Sequence, residues 1–562
     1  MHESDQPDSG VPADTESDPS IPSTPPVTPV EQDAAAHDAG VPVVAPATRS
    51  ERRAAEREAE ASTGSTPAAD AATARSGVAA GLAGMTAGIL TAIRRHPRAW
   101  IVAGGAAALI VLGTGSVALG ATVGSPASAA VAPTPSASAT KTPTPTPTPT
   151  VDPARPVPAA APAASRIRTC SVAGLAQDGR LGNLEAQVVN AKTGEVLFDR
   201  NGGKPGPTAS VLKTITSAAA LATLGPDYRV STTVVAGSTP GQIVIVGGGD
   251  VTLSRLPGGQ GAFYTGAPSI QDLADQAKQA MGGQPITSIV VDSSLFGGPA
   301  WQPSWDENEE RVVEGSTPYM TALMVDGDRD NPGAVESPRS TDPIGRAVQY
   351  FQQYLGTSVP VTQGTAPAGA RQLAAVQSQP VTTLIQQAMK YSDNTIMEEL
   401  ARLVSIKNGA GNTFDSENAG VLAGLKGYGI DTAGLHIADG SGLSADNAVP
   451  PSYMTRLFVK VLNRENGLGV IYDGLPVSGQ SGTLGPGYNR FTGANSAARG
   501  AVHAKTGWID NGYTLSGIVD SADGTPLTFA VYALGNVGDN AKQAIDTLVT
   551  GIYKCGDNLS NT

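Results

Sequence analysis

The sequence predicts a mixed α/β fold for its C-terminal part, because two β-hairpins flank a long apolar helix. Residues 185–190 and 195–199 carry strand-forming side chains on either side of a Gly-containing turn, which is typical of a hairpin. A second hairpin is predicted at residues 500–508 and 513–519. Residues 207–225 repeat apolar side chains at three- and four-residue steps, which is typical of a helix with one buried face. Strands and helices in one region therefore indicate an α/β domain.

The helix at residues 207–225 carries Ser210 and Lys213 in its first turn, three residues apart and on one face. A serine hydroxyl becomes a good nucleophile when a base takes its proton. A lysine amine that apolar neighbours desolvate can be neutral and can act as that base. The helix N-terminus adds N–H groups for a developing oxyanion. The alternative interpretation of this Ser-x-x-Lys pattern is a helix cap followed by a solvated lysine.

A second candidate pair follows the predicted helix 381–390, where Ser392 and Asn394 stand two residues apart. At this spacing, both side chains can point into one cleft from a loop. A second hydroxyl can relay a proton to a leaving amine, and an Asn amide can hydrogen-bond both a lysine and a substrate carbonyl. The alternative is an ordinary helix-terminal turn.

The third candidate lies in the second hairpin, where Lys505, Thr506, Gly507 and Trp508 end the first strand. A cation here can hold a substrate carboxylate, and the threonine can donate to it. Gly507 lets the backbone approach a ligand closely. His503 shares a face with Lys505 by alternation, and we expect it to pack rather than to act as a base.

Composition excludes several classes of protein. The net charge is −13, and residues 1–50 hold nine acidic residues against one arginine. The rest of the chain is near neutral and has no stripe of basic residues, so nothing in it suggests nucleic-acid binding. Only two of the five histidines, His436 and His503, follow the Pro-rich segments, and no zinc-ligand pattern surrounds them. Either could join a Ser-His-Asp triad, but the Gly-x-Ser-x-Gly turn of such enzymes is absent. No metal or organic cofactor is expected.

The pattern of the N-terminal residues indicates that the protein is exported across the cytoplasmic membrane. Residues 1–98 are rich in Pro, Asp and Ser at their start, and we interpret the whole segment as a disordered cytoplasmic tail. A transmembrane helix is predicted at 99–123, where 23 residues lack charge and three arginines precede them. A Pro/Thr/Ala-rich linker follows at 124–166 and favours an extended chain. The alternative is a signal peptide that is cleaved near residue 130, which would release the domain.

The two cysteines, Cys170 and Cys555, bracket the predicted domain. In an exported protein such a pair predicts a disulfide between the first segment and the last helix. The alternative is two unpaired buried thiols.

The three motifs occur in the order Ser-x-x-Lys, Ser-x-Asn, Lys-Thr-Gly. With them, residues 167–562 resemble the penicillin-binding D-alanyl-D-alanine carboxypeptidases of the penicillin-binding protein 4 type. Several further stretches are similar to that type: Leu224-Gly-Pro-Asp227, Gly247-Gly-Gly-Asp250, Asp292-Ser-Ser-Leu-Phe296, Asp439-Gly-Ser-Gly-Leu-Ser444 and Ser481-Gly-Thr-Leu484. The resemblance implies a β-lactamase/transpeptidase-like serine acyltransferase fold, with a five-stranded antiparallel sheet between helices. The spacing between the motifs leaves room for one inserted subdomain, at about 229–335.

The resemblance also implies roles for the candidate residues. Ser210 would be the acylated nucleophile and Lys213 its base. Ser392 and Asn394 would relay the proton. The segment 505–507 would bind the substrate carboxylate, and the N–H groups of Ser210 and Trp508 would hold the oxyanion.

The function implied is hydrolysis of the terminal D-Ala from peptidoglycan stem peptides, with β-lactam antibiotics as covalent inhibitors. The domain would stand outside the cytoplasmic membrane, anchored by one helix. The type includes endopeptidases, and full members carry a second insertion that is shortened here, so cleavage of cross-links is left open. A β-lactamase shares all three motifs. A non-catalytic module that binds penicillin or peptidoglycan is the third alternative.

Overall fold

A computed structural model describes residues 167–561 of the chain. The predicted tail 1–98, the membrane helix 99–123 and the linker 124–166 lie outside the described residues. Within residues 167–561, none of the helices is long and apolar enough to cross a membrane.

The β-strands of the described part are, in chain order, β1 (Cys170–Ser171), β2 (Asn183–Asn190), β3 (Val196–Arg200), β4 (Ser231–Ala236), β5 (Gln242–Val246), β6 (Ser288–Asp292), β7 (Val361–Gln363), β8 (Gln372–Gln377), β9 (Val502–Ile509), β10 (Gly512–Asp520), β11 (Pro526–Leu534) and β12 (Leu559–Ser560).

The α-helices of the same part are α1 (Ala173–Ala176), α2 (Lys213–Thr223), α3 (Ile270–Met281), α4 (Pro343–Leu355), α5 (Val381–Tyr391), α6 (Asn394–Lys407), α7 (Phe414–Leu425), α8 (Pro451–Leu462), α9 (Gly469–Gly474) and α10 (Ala541–Cys555).

The main sheet has the order β3-β2-β11-β10-β9 and is antiparallel throughout. Alternate residues of β11 face opposite sides, as the two-residue period of a strand requires. Phe529 packs in a core with Leu548 of α10, whereas Tyr532 packs in the core formed by α2 and the other helices. Helices therefore cover both faces of the sheet, as predicted, and β9 remains an edge strand.

A second, mixed sheet has the order β7-β6-β5-β4-β8. Helices α3 and α4 pack on it, and Leu273 and Phe351 share its core. This inserted subdomain extends beyond the predicted limit of residue 335, because β8 pairs antiparallel with β4. The polar segment after Met324 resembles an end of the insertion in the sequence, but the chain returns afterwards to complete the sheet.

Cys170 and Cys555 form a disulfide across a sequence separation of 385 residues. Strand β1 also pairs in parallel with β12, which brings Cys170 opposite Leu559. The predicted link between the first segment and the last helix is therefore confirmed.

Candidate active site

Ser210 lies in a 3-10 turn, Ala209–Leu212, that leads directly into α2. The sequence predicted one continuous helix here, and the tighter first turn is the difference. Ala209 has a φ of 47°, in the left-handed region that non-glycine residues seldom adopt. Its carbonyl packs against Gly442, where an added Cβ would lie 2.0 Å from the oxygen. Close packing thus holds a strained turn that presents Ser210 at a cleft.

Lys213 is completely buried, and its Nζ contacts three oxygen atoms. It lies 2.8 Å from Ser210 Oγ, 2.7 Å from Asn394 Oδ1 and 2.8 Å from the carbonyl oxygen of Ser441. Burial lowers the pKa of Lys213 to about 8, although the nearby carboxylates of Glu398 and Asp439 oppose the shift. A substantial fraction of this amine is therefore neutral near physiological pH, as a general base requires.

Ser392 and Asp393 form the two-residue connection between α5 and α6, and Asn394 is the first residue of α6. Ser392 has a φ of 64°, which turns the chain sharply after α5. Its Oγ accepts a hydrogen bond from Lys505 Nζ at 2.9 Å. The amide nitrogen of Asn394 donates to Thr317 Oγ1 at 3.1 Å, which leaves the amide oxygen facing Lys213. The connection therefore contacts Lys505, and the first residue of α6 contacts Lys213.

Asp393, between these two residues, anchors the connection. It caps α6 by accepting from the N–H of Ile396, and it forms an ion pair with Arg329 at 2.8 Å. Tyr264 also donates to it. Arg329 and Tyr264 belong to the stretch between β5 and α4, so the insertion fixes the backbone that carries Ser392. No pattern in the sequence had indicated this anchor.

The segment 505–508 lies on β9, at the edge of the main sheet. Lys505 is fully buried, and burial together with the nearby charge of Lys213 lowers its pKa well below the ordinary value. A Cβ added at Gly507 would lie 2.8 Å from the carbonyl oxygen of Thr208 and 2.9 Å from the Cβ of Ala209. The glycine therefore lets this edge strand pack directly against the nucleophile turn. The predicted close approach to a ligand stays a prediction.

The predicted residues meet at one cleft of about 450 Å³. Those that line it are Ser210, Ser392, Asn394, Thr506, Gly507 and Trp508. Thr483 also lines it, and its hydroxyl lies 2.7 Å from that of Thr506. The sequence pattern that contains Thr483 is Ser481-Gly-Thr-Leu484, which had been noted as similar to the family but had been given no role. Among residues 167–561, no group of three or more His, Cys, Asp or Glu side chains is arranged to hold a metal ion.

The fold and this site define a serine acyl-transfer enzyme in which a buried lysine lies beside the nucleophile. The chain matches the model of the D-Ala-D-Ala carboxypeptidase 3 (S13) family over residues 169–337 and 322–552. It belongs to that family.

Individual relatives agree with this assignment. The chain is 37% identical over 414 residues to carboxypeptidase DacB of Mycolicibacterium smegmatis, with 71% of this chain and 87% of that protein covered. It is 28% identical over 426 residues to the D-alanyl-D-alanine carboxypeptidase of Actinomadura sp., with 62% of this chain and 77% of that protein covered. The crystal structure of penicillin binding protein 4 (dacB) from Haemophilus influenzae has the same fold. Its TM-score is 0.58 at 20% identity, with 68% of this chain and 99% of that chain covered.

The two lysines predict a bell-shaped pH dependence of serine acylation. Lys213 must lose its proton before it can accept one from Ser210, so the rate rises about tenfold per pH unit and levels off near its pKa of about 8. The rate falls again once Lys505 loses its charge, and burial with the nearby charge of Lys213 brings this fall to lower pH than for an ordinary lysine. Stopped-flow acylation by a fluorescent penicillin between pH 5 and 10 measures this profile. A rise that continues to pH 10 would show that Lys213 keeps an ordinary lysine pKa.

Proposed function

We propose that this chain is a serine-type D-alanyl-D-alanine carboxypeptidase that removes the terminal D-Ala from peptidoglycan stem peptides through an acyl-enzyme on Ser210. The observation that carries the proposal is the 2.8 Å contact between the Ser210 hydroxyl and the buried amine of Lys213. Membership of the S13 family supports the same substrate class.

In the acylation step, Ser210 Oγ attacks the carbonyl carbon of the penultimate D-Ala, and its proton passes to Lys213 Nζ. An Oγ–C bond forms, and the C–N bond to the terminal D-Ala breaks. The leaving amine takes a proton that Ser392 can relay, since its hydroxyl contacts Lys505 within the same cleft. A water molecule then hydrolyses the ester and restores Ser210.

Binding of the substrate depends on β9 in this proposal. The terminal carboxylate lies beside Lys505 and Thr506, and the N–H groups of Ser210 and Trp508 hold the oxyanion. The close packing of Gly507 on the nucleophile turn supports this arrangement, because it brings the edge strand alongside Ser210. β-Lactams place a carboxylate in the same position. Their ring opens without losing a fragment, so the acyl-enzyme persists.

The proposed reaction is tested by incubating the protein with a disaccharide pentapeptide and with a cross-linked dimer, and by identifying the products by mass spectrometry. We expect loss of one D-Ala from the pentapeptide and a stable adduct with penicillin on Ser210. Cleavage of the dimer would add an endopeptidase activity.

Ser210→Ala is the matched control, since it removes one oxygen and should abolish both D-Ala release and labelling without unfolding the domain. Label on another serine would contradict the assignment. Rapid release of hydrolysed penicillin would indicate a β-lactamase. A folded parent that neither reacts with penicillin nor releases D-Ala would indicate a binding module.

Lys505→Ala tests how the carboxylate is recognised. A charge-assisted hydrogen bond in a partly desolvated cleft is worth about 1.5–3 kcal/mol. The variant should therefore lose about 10- to 150-fold in kcat/KM on pentapeptide, and penicillin acylation should slow as well. Unchanged cleavage of pentapeptide would mean that the carboxylate is bound elsewhere.

We also propose that the domain is displayed outside the cytoplasmic membrane by the helix 99–123. The uncharged run of 23 residues and the arginines before it support this topology, and the disulfide is compatible with export. Protease added to intact spheroplasts should remove the domain and leave the tail 1–98 intact. A soluble form that begins near residue 130 would instead indicate a cleaved signal.

A further inference from the structure

The loop 439–444 takes no part in the reaction described above, yet it contacts the proposed base directly. The carbonyl oxygen of Ser441 lies 2.8 Å from Lys213 Nζ. A neutral amine has two N–H donors and one lone pair. If Asn394 Oδ1 and the Ser441 carbonyl accept the two N–H groups, the lone pair can point only at the Ser210 hydroxyl. The position of this carbonyl therefore determines the direction of the base.

Two buried acidic side chains hold the peptide group of that carbonyl and the two peptide groups before it. Asp439 Oδ1 accepts from the N–H of Gly442 at 2.7 Å, which belongs to the same peptide group as the Ser441 carbonyl. Glu398 Oε1 accepts from the N–H of Ser441 at 2.7 Å, and its Oε2 accepts from the N–H of Gly440 at 3.0 Å. Both acidic side chains are fully buried. Three successive N–H groups are thus fixed by carboxylates.

The same helices carry the catalytic residues and the groups that hold the loop. Glu398 stands one turn after Asn394 on α6, so that helix contacts Lys213 directly and through the loop. Thr216 stands three residues after Lys213 on α2, and its hydroxyl donates to the carbonyl of Gly440 at 2.6 Å. A movement of the loop would therefore change the contacts of Lys213 specifically.

The loop also fits too tightly to adopt another path. An added Cβ at Gly440 would lie 2.5 Å from the carbonyl oxygen of Met397. Gly442 has a φ of 86°, and its own added Cβ would meet the carbonyl of Ala209, next to the nucleophile. The glycines bring the loop against both the nucleophile turn and α6.

We propose that Glu398 and Asp439 are positioning residues that hold the Ser441 carbonyl against Lys213, so that the loop 439–444 directs the amine toward the Ser210 hydroxyl. This inference rests on the proposed function. It assigns a role in acylation to a loop that lines the cleft with Leu443 and contacts the base through the Ser441 carbonyl.

The main test compares Glu398→Gln with Glu399→Gln. In Glu398→Gln, the side-chain NH₂ must face one of the two backbone N–H groups, so the loop shifts. We expect the rate constant for acylation by penicillin to fall about 10- to 100-fold, as for a small misplacement of a catalytic group. The dissociation constant of the complex before acylation should stay within about twofold.

Glu399 is the matched control because it is the next residue on α6 and is equally buried. Burial and the neighbouring Asp250 raise the pKa of Glu399 well above its ordinary value. Within residues 167–561, no hydrogen bond joins its carboxyl group to the loop 439–444. Acylation of Glu399→Gln should stay within about twofold of the parent.

The pH profile gives a readout that loss of stability alone would not change. The charged groups that influence Lys213 are Glu398, Asp439, Asp393 and Lys505, with Arg402 and Glu417 paired behind Glu398. Burial raises the pKa of Glu398 to about 8, so Glu398 and Lys213 change charge over the same pH range. The ionised form of Glu398 raises the pKa of Lys213 more than Asp439 or Asp393 does, and Glu398→Gln removes it. The acid side of the profile should therefore move to lower pH in Glu398→Gln and stay in place in Glu399→Gln.

Thr216→Val is the second variant, and it tests the same role of the loop if Glu398→Gln does not fold. It replaces a hydroxyl by a methyl group of similar size and removes one hydrogen bond to the loop, so acylation should slow about 2- to 10-fold. Parent-like acylation in folded Glu398→Gln overturns the inference, as does parent-like acylation in Thr216→Val if Glu398→Gln is unfolded. A parent protein that penicillin does not acylate would instead contradict the proposed function.

Discussion

The buried amine of Lys213 is the feature on which the rest of the site depends. A lysine in water is charged and cannot take a proton from serine, so the protein must exclude water from this amine. Full burial lowers its pKa to about 8, and three oxygen atoms satisfy its hydrogen-bonding positions. An unpaired buried amine would cost several kcal/mol, so these contacts are required for stability as well as for direction.

The architecture brings those contacts together from distant parts of the chain. The 3-10 turn before α2 supplies the nucleophile, α2 supplies the base and α6 supplies Asn394. The edge strand β9 packs against the nucleophile turn through Gly507, and Thr514 of the next strand donates to the carbonyl of Thr208. The insertion adds Arg329, which pairs with Asp393 at 2.8 Å. The insertion therefore helps to hold the connection that carries Ser392.

Much of this arrangement could be predicted from the sequence, because the chemistry resides in short motifs on regular elements. The hairpin around Lys505, the apolar helix at Lys213 and the helix Val381–Tyr391 before Ser392 all carry strong local patterns. The extent of the insertion could not be predicted, because β8 pairs with a strand more than 130 residues earlier. The contacts of Glu398 and Ser441 were also missed. A glutamate within a helix resembles a solvated residue in sequence, and a backbone carbonyl has no sequence signature.

The most direct test of this account is an NMR titration of the Lys213 side chain. Lysine labelled with ¹³C at Cε reports the charge of each amine, and the resonance of Lys213 is assigned by its absence in Lys213→Arg. The account predicts a midpoint near pH 8 for the protein without ligand. A midpoint of about 10.4, the value of an ordinary lysine, would contradict the claim that burial lowers the pKa of this amine so that it can act as the base.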